Sequence, residues 1–222
     1  MKKVIVIGCP GAGKSTFSRK LSAKIGLPLH YLDMIWHLPD RTTLSREEFV
    51  ERLQEIMSED KWIIDGNYLH TLPIRLNRCD TVFFFDLPLD LCLAGAEERL
   101  GKRREDMPWI DNEMNPVFRQ WIVEFPTQQV PIIRKLLTEH EDNVNVFTFY
   151  SRKEADYFIN EIESQFLKDM TLEELWQLFP IILTPHQPQW KEWAKDEIRS
   201  LSEILSKHYP IINLSFASST CG

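Results

Sequence analysis

The sequence predicts an α/β fold: a five-stranded parallel sheet with helices on both faces, a lid segment and a short helical C-terminal appendage. Three observations carry the sheet. Short apolar runs alternate with amphipathic stretches through residues 1 to about 168, the pattern of strand–helix units that build parallel sheets. The first run, VIVI at 4–7, is continuously apolar and β-branched, as a strand buried on both faces should be. Three of the chain's eight glycines fall at 8, 11 and 13, between that run and a helix signal. With 43% hydrophobic and 27% charged residues in 222, the chain lies outside the disordered regime and can bury a core without staples.

In chain order, the strand at 4–7 ends at Gly8. After the glycine loop Phe17, Leu21 and Ile25 recur four apart, Gly26 stands where a left-handed cap ends a helix, and Pro28 follows. The second strand is read at 29–32, running into Asp33, Met34, Ile35, Trp36 and His37. Ser45 and Glu48 form a capping-box signature ahead of a helix with Phe49, Leu53, Ile56 and Met57 on one face. WIIDG at 62–66 is a third strand ending in a carboxylate and a turn glycine, and TVFFF at 81–85 is a fourth. The fifth, 144–149, leads to a second capping signature at Ser151 and Glu154 and a helix carrying Ala155, Phe158, Ile159 and Ile162.

Between 99 and 131 the periodicity weakens. Arg99, Lys102, Arg103 and Arg104 crowd four cations together, Pro108 interrupts the stretch, and Asn115-Pro116 reads as a helix N-cap and first position. A basic, proline-broken segment over about 102–116 suits a lid over an anionic ligand.

Residues 8–16, GCPGAGKST, match G-x-x-x-x-G-K-[ST] in the required strand–loop–helix order. Glycines let backbone N–H groups turn inward around a phosphate without a Cβ in the way, and the following helix adds its positive end. Gly8, Pro10, Gly11, Ala12, Gly13, Lys14, Ser15 and Thr16 are therefore the expected nucleotide-binding residues. In such loops the lysine reaches the β- and γ-phosphates and the serine hydroxyl ligates Mg²⁺. ATP and Mg²⁺ are the expected cofactors.

Composition excludes several classes. Twenty-six Lys and Arg against 33 Asp and Glu, a net charge of −7, lack the footprint of a duplex-DNA binder. Cys9, Cys79, Cys92 and Cys221 are scattered, with no C-x-x-C pair, and read as reduced thiols of a cytoplasmic protein. About five apolar residues after Lys2-Lys3 are too few for a secretory signal, and no run approaches membrane-spanning length.

The loop, WIIDGNY (62–68) and the arginine cluster together make the chain resemble P-loop kinases of the adenylate-kinase-like group. More narrowly, YLDMIW (31–36), GKRREDMPW (101–109) and SRKEAD (151–156) make it similar to bacterial adenylate-kinase-related, or DNA topology modulation (FlaR-type), proteins. This resemblance spans residues 1 to about 165 and implies an ATP-dependent phosphotransferase with a small-molecule or nucleotide acceptor. It implies that Asp65, at the strand-end D-G, supports the metal alongside Ser15. It also implies that Arg99 and Arg103 open the lid and clamp the phosphates, four residues apart on one helix face. Adenylate kinases follow D-G with a phenylalanine, a proline and an arginine that binds the acceptor phosphate. Here Asn67 and Tyr68 stand instead, and the nearest arginine is Arg75, which counts against AMP as acceptor. Asp33 matches the carboxylate that small-molecule P-loop kinases place at the acceptor hydroxyl, with Trp36 and His37 as candidate pocket lining. Lys14, Asp33, Arg99 and Arg103 are then the expected catalytic residues. A second reading, from the topology-modulation label, is a nucleotide-binding regulatory or DNA-topology-associated protein with little intrinsic turnover.

Beyond Leu167 the character changes. MTLEELWQLFPIIL at 170–183 opens with a third capping signature, Thr171 and Glu174, and a helix with Trp193, Ile198, Leu201 and Leu205 follows. Residues 170 to about 208 resemble the opening of GrpB-like proteins, a family of nucleotidyltransferase-type fold. The family's His-Ile-Gly-Ser-Thr stretch is missing, so 169–222 is expected to be an incomplete helical appendage without catalysis, beside a kinase-like domain over 1–168.

Overall fold

The structure, a computed structural model, describes residues 1–169, the last seven by their helix alone. The GrpB-like segment, its capping signature at Thr171 and the expected appendage lie outside the described residues. Met1–Ile159 form one compact unit. Its elements are β1 (Lys3–Gly8), α1 (Lys14–Ile25), β2 (Leu29–Tyr31), α2 (Leu32–Trp36), α3 (Arg46–Ser58) and β3 (Trp62–Asp65). A 3-10 turn (Leu69–Thr71), α4 (Leu72–Leu76), β4 (Thr81–Phe85) and α5 (Leu89–Glu97) follow. The chain continues through α6 (Pro116–Gln128), α7 (Val130–Thr138), β5 (Asn145–Phe149) and α8 (Arg152–Asp169). Five parallel strands form one sheet in the order β2-β3-β1-β4-β5. This is the α/β architecture expected of a P-loop fold.

Burial explains why the runs read as they do. Val4, Ile5, Val6 and Ile7 are fully buried, so successive residues on opposite faces of β1 are both covered. Phe17 of α1 and Phe158 of α8 close over one face, with ring centroids 4.8 and 5.0 Å from Phe83 of β4. Edge-to-face aromatic pairs of this kind contribute about 0.5–1.5 kcal/mol each beyond area burial.

Local signals are met in most places. Gly26 is left-handed, with its N–H donated to the Ser22 carbonyl. Ser45 and Glu48 form both halves of the capping box, and Asn115 accepts from the Val117 and Phe118 N–H groups. The second capping signature is half formed: Ser151 accepts from the Glu154 N–H, but the Glu154 carboxylate takes the Tyr150 N–H instead.

Three expectations are corrected. The second strand stops at Tyr31, because the chain turns into α2, where the His37 N–H donates to the Asp33 carbonyl. Asp33 therefore sits in a first helical turn, favourable for a carboxylate, rather than at a strand end. Arg99 and Arg103 do not share a helix face. α5 ends at Glu97, and Gly101, at φ +70°, reverses the chain and donates its N–H to the Asp111 carbonyl. Finally, Trp36 packs edge-on against Phe49 of α3 and beside Tyr68 instead of lining a pocket.

Candidate active site

β1 occupies the middle of the sheet, between β3 and β4, and its carboxyl end opens directly into the glycine loop. Ligands of open α/β sheets bind outside such carboxyl ends, where the strand order reverses. Gly8, Gly11 and Gly13 all lie at positive φ, 135°, 80° and 104°. A Cβ at Gly11 would stand 1.9 Å from the Cys92 carbonyl oxygen. Gly95 of α5 meets the loop from the other side, since a Cβ there would lie 2.2 Å from the Gly11 oxygen. Backbone touches backbone, and nothing in the sequence marked Gly95 for this.

Lys14 is buried and its Nζ donates to the Cys9 carbonyl at 2.9 Å. Burial lowers its pKa, while Asp65 pulls the other way. Ala12 is buried within the loop, with its N–H donated to the Cys9 carbonyl. Arg152, at the start of α8, donates to the Gly11 and Leu91 carbonyls at 2.9 and 3.3 Å. The sequence marked Ser151-Arg152 as a helix start only. Its tie to the loop bridges 141 positions.

Three carboxylates surround the loop. Asp65 pairs in register with Val6, is buried, and leaves Oδ1 unpartnered. Burial pushes its pKa up to about 6, against the pull of Lys14. Asp33 accepts the Tyr68 hydroxyl at 2.8 Å; burial and that carboxylate raise the phenol, keeping it a donor. Asp106, unmarked in the sequence, is buried and accepts the Ser15 hydroxyl at 2.9 Å, with the Arg104 guanidinium 3.8 Å away.

Two cavities meet here. The first, about 520 Å³, is walled by Gly11, Gly13, Thr16 and the base of α8. Arg19, Lys20, Lys102, Arg103 and Arg152 line it alone. The second, about 480 Å³, holds Pro10, Lys14, Asp33, His37, Asp65 and Tyr68. Ser15, Arg99, Arg104 and Asp106 line both and mark the junction. The Arg99 guanidinium makes no hydrogen bond or ion pair among the described residues, and burial, reinforced by Arg104, lowers its pKa. Arg103 is exposed. The structure thus brings the two predicted arginines to one cavity, but through a chain reversal rather than a helix face.

No group of three or more metal-ligating side chains forms among the described residues. Cys9, Cys79 and Cys92 are buried free thiols. No helix among the described residues is long and apolar enough to cross a membrane.

No family model and no curated protein matches the chain. Solved structures similar to it include two shikimate kinases. A shikimate kinase from Bacteroides thetaiotaomicron is 14% identical at TM-score 0.48, over 73% of this chain and 97% of its own. A shikimate kinase from Aquifex aeolicus vf5 is 18% identical at TM-score 0.43, over 72% and 92%. Similarity at this level assigns no substrate to this chain. The finer resemblance to FlaR-type and GrpB-like proteins rests on the sequence phrases alone.

Proposed function

We propose that this chain is a P-loop phosphotransferase that moves the γ-phosphoryl of ATP to a hydroxyl-bearing acceptor. The observation that carries the reading is the junction: a cation-lined cavity over the glycine loop meets a second cavity at Ser15, Arg99, Arg104 and Asp106. Phosphoryl transfer needs donor and acceptor in line with little covalent help, so positioning and charge stabilisation are the protein's task. In this reading the loop amides and Lys14 hold the phosphates, with Gly8, Gly11 and Gly13 already at the positive φ that inward amides require. Arg99, unpaired and at the junction, meets charge on the transferring group. Asp33 orients the acceptor hydroxyl. Segment 102–115 supplies Arg103 to one cavity and Trp109 to the other, so its closure covers both.

The residues fit a divalent ion that arrives with nucleotide. Ser15 and the unpartnered Oδ1 of Asp65 are the side-chain groups that would support it, and phosphate oxygens complete an Mg²⁺ shell held by few protein ligands. Held by Ser15 and Asp65, such an ion would supply charge neutralisation for the transferring phosphate.

The test is Lys14→Ala. The variant should lose turnover and bind Mg·ATP at least about tenfold more weakly, because a point charge on the phosphates is removed while the loop backbone survives. Calorimetry and ADP release measure both. Unchanged affinity and turnover would end the assignment.

A further inference from the structure

An acceptor that carries a phosphate or carboxylate needs a cation to receive it, and the second cavity withholds one. Arg75 is the arginine nearest the turn after β3. It is fully buried and spends its donors internally: Nε on Thr71 Oγ1, Nη1 on the Gly66 carbonyl, Nη2 on the Asn67 and Tyr68 carbonyls. Its role is to hold the 66–68 turn, where Tyr68 sits at φ +27°, a costly conformation for an aromatic residue. The cations that do line the cavity are Lys14, Arg99 and Arg104. Lys14 belongs to the glycine loop, and the other two stand at the junction with the first cavity. Away from that junction the lining is acidic and aromatic: Asp33, Asp111, Glu113, Tyr31, Tyr68 and Trp109. His37, against the Trp109 ring at 5.1 Å, has its pKa lowered by burial, so it adds no charge at neutral pH.

A second observation points to a ligand. Asn67 is 8% exposed, lines the cavity, and leaves both Oδ1 and Nδ2 without a partner. Buried carboxamides are rarely left so, because the desolvation penalty is uncompensated. The turn pinned by Arg75 therefore places an unpartnered carboxamide, closed to solvent, in the wall that Asn67 shares with Asp33 and Tyr68.

We infer that the acceptor is a hydroxyl compound free of phosphate and carboxylate, uncharged or amino-bearing, such as a nucleoside or an amino sugar, and that Asn67 reads its polar edge. The inference rests on the phosphotransferase reading and specifies its acceptor. In the step, the acceptor oxygen bonds to the γ-phosphorus and the bond to the β–γ bridging oxygen breaks. ADP leaves with that electron pair, and the hydroxyl proton passes to Asp33 and on to water. Carboxylates around the acceptor repel anions and favour ammonium groups, while the Trp109 ring, which the Arg41 guanidinium also approaches at 5.6 Å, lends apolar surface.

The experiment measures ADP release by the full chain with Mg·ATP and matched probes: adenosine and AMP, uridine and UMP, glucosamine and glucosamine 6-phosphate, glucose and gluconate. At least one uncharged or amino-bearing member should raise ADP release well above ATP alone, with its anionic partner far behind. Asn67→Ala should raise KM for that member about tenfold, the cost of one buried hydrogen bond, and leave the Mg·ATP dissociation constant unchanged. Asn67→Asp, of equal volume, should show the same loss. Preference for an anionic member, or no stimulation by any uncharged or amino-bearing one, overturns the inference. Failure of the phosphotransferase reading looks different, since no member of any pair, the anionic ones included, would then raise ADP release, whether or not the chain binds Mg·ATP.

Discussion

The two cavities are nearly equal in size, about 520 and 480 Å³, and opposite in chemistry. In the first, Arg19, Lys20, Arg99, Lys102, Arg103, Arg104 and Arg152 face four carboxylates: Glu98, Glu105, Asp106 and Asp156. In the second, Lys14, Arg99 and Arg104 face Asp33, Asp65, Asp106, Asp111 and Glu113. A polyanion gains from concentrated positive potential on one side and is rejected by the other. On the phosphotransferase reading, this contrast would sort two ligands by charge before either is positioned. The linings overlap at Ser15, Arg99, Arg104 and Asp106, where the proposed transfer would take place.

The sharpest test of that overlap compares two arginines. Arg99 lines both cavities, its guanidinium without a partner among the described residues, whereas Arg103 is exposed and lines only the first. Arg99→Ala should lower kcat on the order of a thousandfold, as loss of a transition-state guanidinium does elsewhere. Arg99→Lys should recover little, because the planar fork is lost. Arg103→Ala should cost about tenfold or less. Steady-state kinetics with a fixed acceptor decides, and equal losses would falsify the junction as the reaction centre.

A smaller effect separates Asp33 from Asp65 in the second cavity. Asp33→Asn should depress acceptor-dependent kcat/KM about a hundredfold with Mg·ATP affinity intact. Asp65→Asn should instead shift the Mg²⁺ dependence. Burial raises the Asp65 pKa to about 6, so the group is protonated below that pH, and Mg·ATP binding should weaken as pH falls through about 6. Stability runs the other way. A carboxyl whose folded pKa is raised contributes stability at low pH, and that contribution is lost as pH rises from the ordinary carboxylate range through about 6. Thermal melts and Mg²⁺ titrations across pH 4 to 8 would read both trends, and Asp65→Asn should flatten them.

The smallest predicted change concerns the wall of the first cavity. Gly95→Ala would place a methyl 2.2 Å from the Gly11 oxygen, so α5 must shift off the loop. We expect about 2 kcal/mol of destabilisation, typical of overpacking, together with weaker Mg·ATP binding. A melting temperature and affinity equal to wild type would show that the loop tolerates separation from α5.

Much of this molecule was legible in its residues. The glycine loop, the five strand runs, the left-handed cap at Gly26, the Ser45–Glu48 box and the Asn115 cap depend on neighbours in sequence or on burial of both faces, so composition and spacing display them. The helices of 116–138 were harder to see, because Pro126 lies inside α6 and Pro131 near the start of α7, which disguises their period. α2 was not read as a helix, because five residues hold too little periodicity to show one.

The pairings that build the site had no such signature. Ser15 meets Asp106 across 91 positions and Gly11 meets Arg152 across 141, and a carboxylate or arginine inside a charged stretch looks alike whether it faces water or a phosphate loop. Arg75 could not be told from an acceptor clamp until its donors were seen spent on the 66–68 carbonyls. The sequence by itself determined that a phosphate-binding loop opens a parallel sheet, because glycine conformation and strand burial are local physics. Only the tertiary structure decided which charges share a cavity, because chain reversals such as the one at Gly101 set the separation of side chains, and that separation and burial govern their electrostatics.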